Sequence, residues 1–103
     1  MYRKLLLASA LSLIAFANVN VASAAKVGEM CGGIAGVKCD KGLWCQLKDG
    51  QCGFADAAGT CARVPRFCPH IVKPVCGCDK KTYNNDCLRQ RARVSKAHDG
   101  KCY

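Results

Sequence analysis

The sequence predicts a small disulfide-rich α+β fold built as two units, and three observations carry that prediction. All ten cysteines lie at residue 31 or beyond. Glycine and proline interrupt the chain too often for long helices, so short strands, tight turns and one short helix are expected. Charge divides the cysteine-bearing part into a neutral half and a strongly basic half.

The N-terminus is set apart first. Arg3 and Lys4 precede an uncharged run over 5–16, and Ala22-Ser23-Ala24 supplies the small residues of a cleavage point. The pattern predicts a secretory signal peptide over 1–24, cut after Ala24 or Ala25. A membrane anchor is the competing reading, but the run is shorter than the roughly 20 residues a spanning helix needs, and Asn18 and Asn20 interrupt the stretch beyond it. The expected location is therefore secreted or periplasmic, with no stable membrane anchor.

Removal of 1–24 leaves 79 residues holding all ten cysteines, a density that marks disulfide scaffolds. So small a chain buries little apolar surface, and an even cysteine count in an oxidising compartment argues for five bridges. A bridge closing a loop of about 15 residues contributes roughly 3 kcal/mol, so the crosslinks rival the core. Zinc is the other use of cysteine, with His70 and His98 at hand, but neither C-x2-C nor H-x3-H spacing occurs. Cys76-Gly77-Cys78 without a βαβ pattern is a weak redox signal. No metal and no cofactor are expected. Nor is catalysis: beyond residue 24 the only serine is Ser95, the histidines are isolated, and no carboxylate pair or phosphate-binding loop appears.

Charge places the boundary. Over 25–60, Lys26, Lys38, Lys41 and Lys48 balance Glu29, Asp40, Asp49 and Asp56, whereas from Cys61 onward ten Lys or Arg face Asp79, Asp86 and Asp99. This predicts a cystine-rich module over 25–57 and a second domain over 58–103. A basic unit can dock on nucleic acid, an anionic membrane or an acidic protein, or serve solubility alone; no specific nucleic acid partner is expected.

In the first unit, Asp49-Gly50 between residues 43–47 and 51–54 predicts a short β-hairpin. Trp44 and Phe54 are expected to pack inside, an exposed Trp44 being the alternative. "CGGIAGVKC" followed by "GLWC" resembles the small N-terminal cystine module of insulin-like growth factor binding proteins. That resemblance implies Cys31 with Cys45 and Cys39 with Cys52. It covers only residues 30–54, so growth factor binding does not carry over.

In the second unit, "CPHIVKPVC" places Pro69 and Pro74 in a seven-residue span between cysteines. Each proline fixes φ and removes a donor, so the span is neither helix nor central strand. It reads as a stiff, extended, exposed loop pinned at both ends. The longer segment "CPHIVKPVCGCDKKTYNNDC" resembles the heart of a Kazal-type serine protease inhibitor domain, through C-x7-C, Pro74-Val75-Cys76-Gly77, Asp79, Thr82-Tyr83, Asn85 and Cys87. With Cys61 and Cys102 the likeness spans 61–102.

The resemblance implies a short hairpin or three-stranded sheet with one short helix, and a monomeric secreted inhibitor of an extracellular or periplasmic serine protease. It makes His70-Ile71 the reactive bond within the contact loop Pro69, His70, Ile71, Val72 and Lys73. Asn85 would hydrogen-bond the loop backbone and Tyr83 would pack beneath. It also implies Cys68 with Cys87 and Cys76 with Cys102. The family's cysteine at position 90 is Gln90 here, and Cys78 stands where serine is common, so the simplest repair joins Cys61 to Cys78. Lys80 occupies a turn position where glycine or asparagine is frequent.

The physics of the loop supports that implication. A ready-ordered extended segment escapes the ordering entropy that a flexible substrate loses on binding. Histidine, mostly neutral at pH 7, lacks the fixed charge a trypsin-like pocket prefers and is more polar than a chymotrypsin-like pocket takes. The expectation is therefore weak inhibition, or inhibition of a narrow class such as a broad-pocket subtilisin-like enzyme. The other readings are a noninhibitory module that binds protein or glycan through its basic face, and a cationic membrane-active peptide.

A short helix is expected after Asn85, its N-cap, with Asp86 near its start, Leu88 and Ala92 inward, and Arg89, Arg91 and Arg93 on a solvated face. Val94 and the Asp99-Gly100 turn should lead into a closing edge strand ending at Tyr103.

Overall fold

The computed structural model describes residues 23–103, and most of the expected signal peptide over 1–24 lies outside the described residues. Seven elements follow in order: β1 (Met30–Gly32), β2 (Leu43–Leu47), β3 (Ala58–Arg63), β4 (Val75–Gly77), β5 (Thr82–Tyr83), α1 (Asp86–Arg91) and β6 (Lys96–Asp99). They form two antiparallel three-stranded sheets, β1-β3-β2 and β5-β4-β6. This is the small disulfide-rich α+β architecture that the sequence predicts.

β3 shows why the first sheet holds. Its Gly59 and Cys61 are buried while Thr60 is exposed, the period-two alternation of a half-buried strand. Gly59 is required by close approach, because a Cβ there would collide with the Gln46 carbonyl on β2. The core is mostly sulfur and small side chains: Ala25, Cys31 and Cys61, with Val37, Cys39, Leu43 and Cys45 against them. Trp44 is buried, as expected of a packing residue, whereas Phe54 is 59% exposed, against expectation.

The predicted hairpin is replaced by a wider one. β2 pairs with β3, Cys45 opposite Cys61, and residues 51–54 form no strand. The intervening loop is drawn to the second sheet instead: Gly50 N donates to Lys96 O at 2.9 Å and Cys52 bonds Cys78. Residues 58–63, expected in the second domain, are thus the central strand of the first sheet, and the boundary at 57/58 falls between its strands.

All ten cysteines are paired: Cys31–Cys45, Cys39–Cys61, Cys52–Cys78, Cys68–Cys87 and Cys76–Cys102. Two pairings correct the expectation, since neither Cys39–Cys52 nor Cys61–Cys78 exists. Cys61 lies mid-strand over the first core, where the Ala25–Cys39 bridge brings Cys39 within 5.7 Å (Cα–Cα). Cys52 is left in the loop facing the other sheet. The sulfurs of Cys31, Cys39 and Cys61 cluster within 4.8 Å, but each is spent in a disulfide and offers no thiolate to a metal.

In the second sheet, Gly77 has no room for a side chain: a Cβ would lie 2.8 Å from Val94 Cγ1 and 2.9 Å from Tyr83 Cε2. Lys80 adopts φ +68°, the left-handed turn geometry that glycine or asparagine takes more easily. The strand β6 precedes the Gly100 turn rather than following it, and 101–103 carry no strand. His98 and Tyr103 stack there, ring centroids 4.8 Å apart.

Arg89 overturns the solvated helix face. It is 2% exposed, its Nε bonds Asp86 Oδ1 at 2.9 Å, Nη1 donates to Val94 O at 2.6 Å, and Nη2 donates to Gln46 Oε1 on β2 at 2.8 Å. A buried guanidinium is tolerated because every partner is present. The helix is phased on Arg89, which leaves Ala92 exposed. Leu47 N donates to Ser95 Oγ at 2.9 Å and Lys96 Nζ lies 3.5 Å from Asp49 Oδ2, so the two sheets share a polar seam closed by Cys52–Cys78.

Candidate functional site

The segment 68–74 runs between the two sheets without regular structure. Pro69 and Pro74 supply no N–H, so its order must come from its carbonyls and from neighbouring elements. Three attachments provide it. At the upstream end Cys68 is bonded to Cys87 of α1. At the downstream end Lys73 N donates to Asn84 O at 2.7 Å, and Gly100 N donates to Pro74 O at 2.8 Å.

Asn85 provides the third. Its Nδ2 donates to Pro69 O at 3.1 Å and to Ile71 O at 2.8 Å, so one amide grips the backbone on both sides of His70. Its Oδ1 accepts from Leu88 N at 2.9 Å, which caps α1. Only 6% of Asn85 is exposed, so these bonds form away from competing water. The helix start and the loop are fixed by a single side chain.

Pro69, Ile71 and Asn85 each line two depressions, of about 400 and 350 Å3. The loop is therefore a ridge between them, with Asn85 as its support. Pro69, His70, Ile71, Val72 and Lys73 are all exposed; Ile71 is 55% and Val72 75% accessible. The ridge therefore presents apolar side chains to solvent. No carboxylate lines the depression beside His70, and Arg91 does, so the flank is cationic.

Tyr83 serves the neighbouring turn. Its ring packs on Gly77 and its hydroxyl donates to Asp79 Oδ2 at 2.6 Å. Burial and that bond push the Tyr83 hydroxyl up to about 12. Burial alone would raise the Asp79 carboxyl, but the Tyr83 hydroxyl and the Lys81 backbone N–H outweigh it and hold the group below its ordinary range. Asp86 is likewise held low, chiefly by Arg89 and against its partial burial.

Sequence reasoning missed Arg89 and Gln46, which tie α1 to the first sheet, and Ser95, which ties β2 to the second half. The Asp86–Arg89 spacing of three was a usable signal for one of these bonds; nothing local marks Gln46 or Ser95.

The ridge is thus held by a disulfide, two backbone bonds and a double amide clamp. Residues 45–102 match the Kazal-type serine protease inhibitor domain. The chain is 38% identical to the ovoinhibitor of Gallus gallus over 73 residues, 55% of this chain and 14% of that protein. It is 42% identical over 43 residues to serine protease inhibitor Kazal-type 9 of Homo sapiens, 36% and 50% of the two chains. It is 60% identical over 30 residues to a Kazal-type trypsin inhibitor of Aedes aegypti, 29% and 28% of the two. The chain thus spans half or less of the length of each of these three relatives. With the matched domain covering more than half of its residues, the chain belongs to the Kazal-type serine protease inhibitor family.

Proposed function

We propose that the protein is a secreted inhibitor of serine proteases that inserts the ridge 68–76 into the enzyme's cleft with His70-Ile71 as the reactive bond. The observation that carries this reading is the Asn85 clamp on the carbonyls either side of His70. It holds the segment extended while leaving the His70 side chain free to enter a pocket. Should the enzyme cut the bond, Cys68–Cys87 and Cys52–Cys78 keep both ends attached, so the bond can reform.

The target class follows from the side chain presented. An imidazole side chain, without the extended cationic head of lysine or arginine, favours a broad pocket of the subtilisin-like kind over a deep acidic one, and the active species is a monomer whose first sheet braces the loop-bearing half. Ala25 is buried and its backbone bonds Lys38 O and Asp40 N at 2.8 and 2.7 Å, which favours signal cleavage after Ala24 over Ala25. Among the described residues no helix is long and apolar enough to cross a membrane.

The test is titration of the oxidised mature protein against subtilisin, trypsin, chymotrypsin and elastase with residual activity followed. One-to-one inhibition of at least one enzyme, strengthened against subtilisin by His70→Leu and weakened by His70→Gly, is expected. Inhibition that neither substitution alters would place the contact elsewhere.

A further inference from the structure

Upstream of the ridge lies a surface of different chemistry. Residues 41–43 at the start of β2, 63–66 from the end of β3 onward, and Arg93 after α1 enclose a depression of about 470 Å3. Four cations line it, Lys41, Arg63, Arg66 and Arg93, and no acidic residue does. Among the described residues none of these four side chains has a carboxylate within 4.0 Å, whereas Arg89 and Lys96 are both paired. The clustering is built into the fold, for Arg63 is the cross-strand partner of Leu43 and so sits beside the 41–42 turn. Arg93 is held at φ +60°, a conformation long side chains rarely take, by its N–H to Gln90 O at 2.8 Å. Four unneutralised like charges around one hollow repel one another, and a bound anion relieves that repulsion.

We propose that this hollow binds the sulfate groups of a sulfated polysaccharide. Guanidinium forks match the paired oxygens of a tetrahedral oxyanion, and three of the four cations are arginines. The concavity selects among polyanions. A flat anionic bilayer needs an apolar surface to insert, and Leu43, Val64 and Pro65, the apolar lining residues, sit inside the hollow. Nucleic acid bases stack on aromatic side chains, and none lines it. A sulfated sugar chain fits both restrictions, its sulfates meeting the arginines and its ring C–H faces meeting the apolar floor.

Residues 68–73 do not line the hollow, so the polysaccharide and a protease are held at once: the ligand anchors the protein and leaves the ridge free.

The experiment is calorimetric titration of the oxidised mature protein with a heparin-derived hexasaccharide at physiological salt. Arg63→Gln with Arg93→Asn removes two lining charges, asparagine being at ease with left-handed backbone, and Lys26→Gln with Lys101→Gln removes two charges elsewhere. The first pair should weaken binding at least about 10-fold, close to 1.4 kcal/mol, and the second less than about 2-fold. Lys41→Gln, at an exposed turn, repeats the measurement should the first pair misfold. Inhibition measured with the hexasaccharide saturating should be unchanged. The proposal fails if the hexasaccharide does not bind, if both pairs lose affinity equally, if it displaces the protease, or if anionic vesicles bind through the hollow and the hexasaccharide does not.

Discussion

Asn85 grips Ile71 across fourteen residues of sequence, its Nδ2 2.8 Å from the Ile71 carbonyl, while its Oδ1 caps α1 at Leu88 N. The two halves of one amide can be separated by mutation. Asn85→Asp keeps the capping acceptor and removes both donors to the loop. We expect α1 to persist by circular dichroism, while inhibition weakens by about 1–3 kcal/mol, roughly 5- to 150-fold. Cleavage at His70-Ile71 should accelerate. Equal inhibition by Asn85→Asp and the parent would show that the clamp is dispensable.

Arg89 and Gln46 form a part-buried bond between the helix and the first sheet. Gln46→Leu leaves Nη2 of a buried guanidinium without its acceptor, so a loss of about 1–3 kcal/mol is expected in denaturant unfolding. Arg89→Met removes the charge and all three bonds together, and Arg89→Lys should not restore them because a single ammonium cannot span three separated acceptors. A Gln46→Leu protein as stable as the parent would contradict this account.

Acid should act on the same cluster. The Asp86 carboxyl is depressed in the fold, so its contribution is present at neutral pH and is lost as pH falls through the depressed value, below the ordinary carboxylate range. In Asp86→Asn that part of the acid-dependent loss should vanish, read as a flatter stability profile at the acid end.

At the alkaline end the sign is reversed. Tyr83 is raised to about 12, so the stability it lends is complete below its unfolded value of 10.0 and fades as pH climbs toward 12. Ultraviolet titration of phenolate absorbance should show a late component that Tyr83→Phe abolishes. A profile in which that component survives the substitution would assign it to another group.

Peptide mapping of the unreduced protein should yield the Cys39–Cys61 and Cys52–Cys78 pairs. Cys52→Ala with Cys78→Ser should cost about 3–4 kcal/mol by the loop-closure account, at least about 10 °C in Tm for a domain of this size. Weak inhibition should survive, since Cys68–Cys87 and Asn85 remain in place. Recovery of Cys61–Cys78 instead would refute the described pairing.

The second half was legible because its information is local. Prolines fix the loop, and the spacing from Cys68 to Cys87 marks the family resemblance without reference to distant residues. The first half was not. Whether Cys39 meets Cys52 or Cys61 depends on which strand pairs with β2, and Asp49-Gly50 makes a turn in either arrangement. A bond from Gly50 to Lys96 and a bridge from Cys52 to Cys78 decide it, both lying far along the chain. Arg89 misled for a related reason. On a helix as short as Asp86–Arg91 the inward face is set by what the neighbouring sheet offers, here the Gln46 amide, rather than by the helix's own periodicity.

The crosslink from Cys52 to Cys78 also governs how this protein can be inherited. A rearrangement that transplanted either sheet alone into a new gene would deliver a partly accessible orphan thiol on each product, open to dimerisation and scrambling during export. The halves must be copied together or the stranded cysteine replaced.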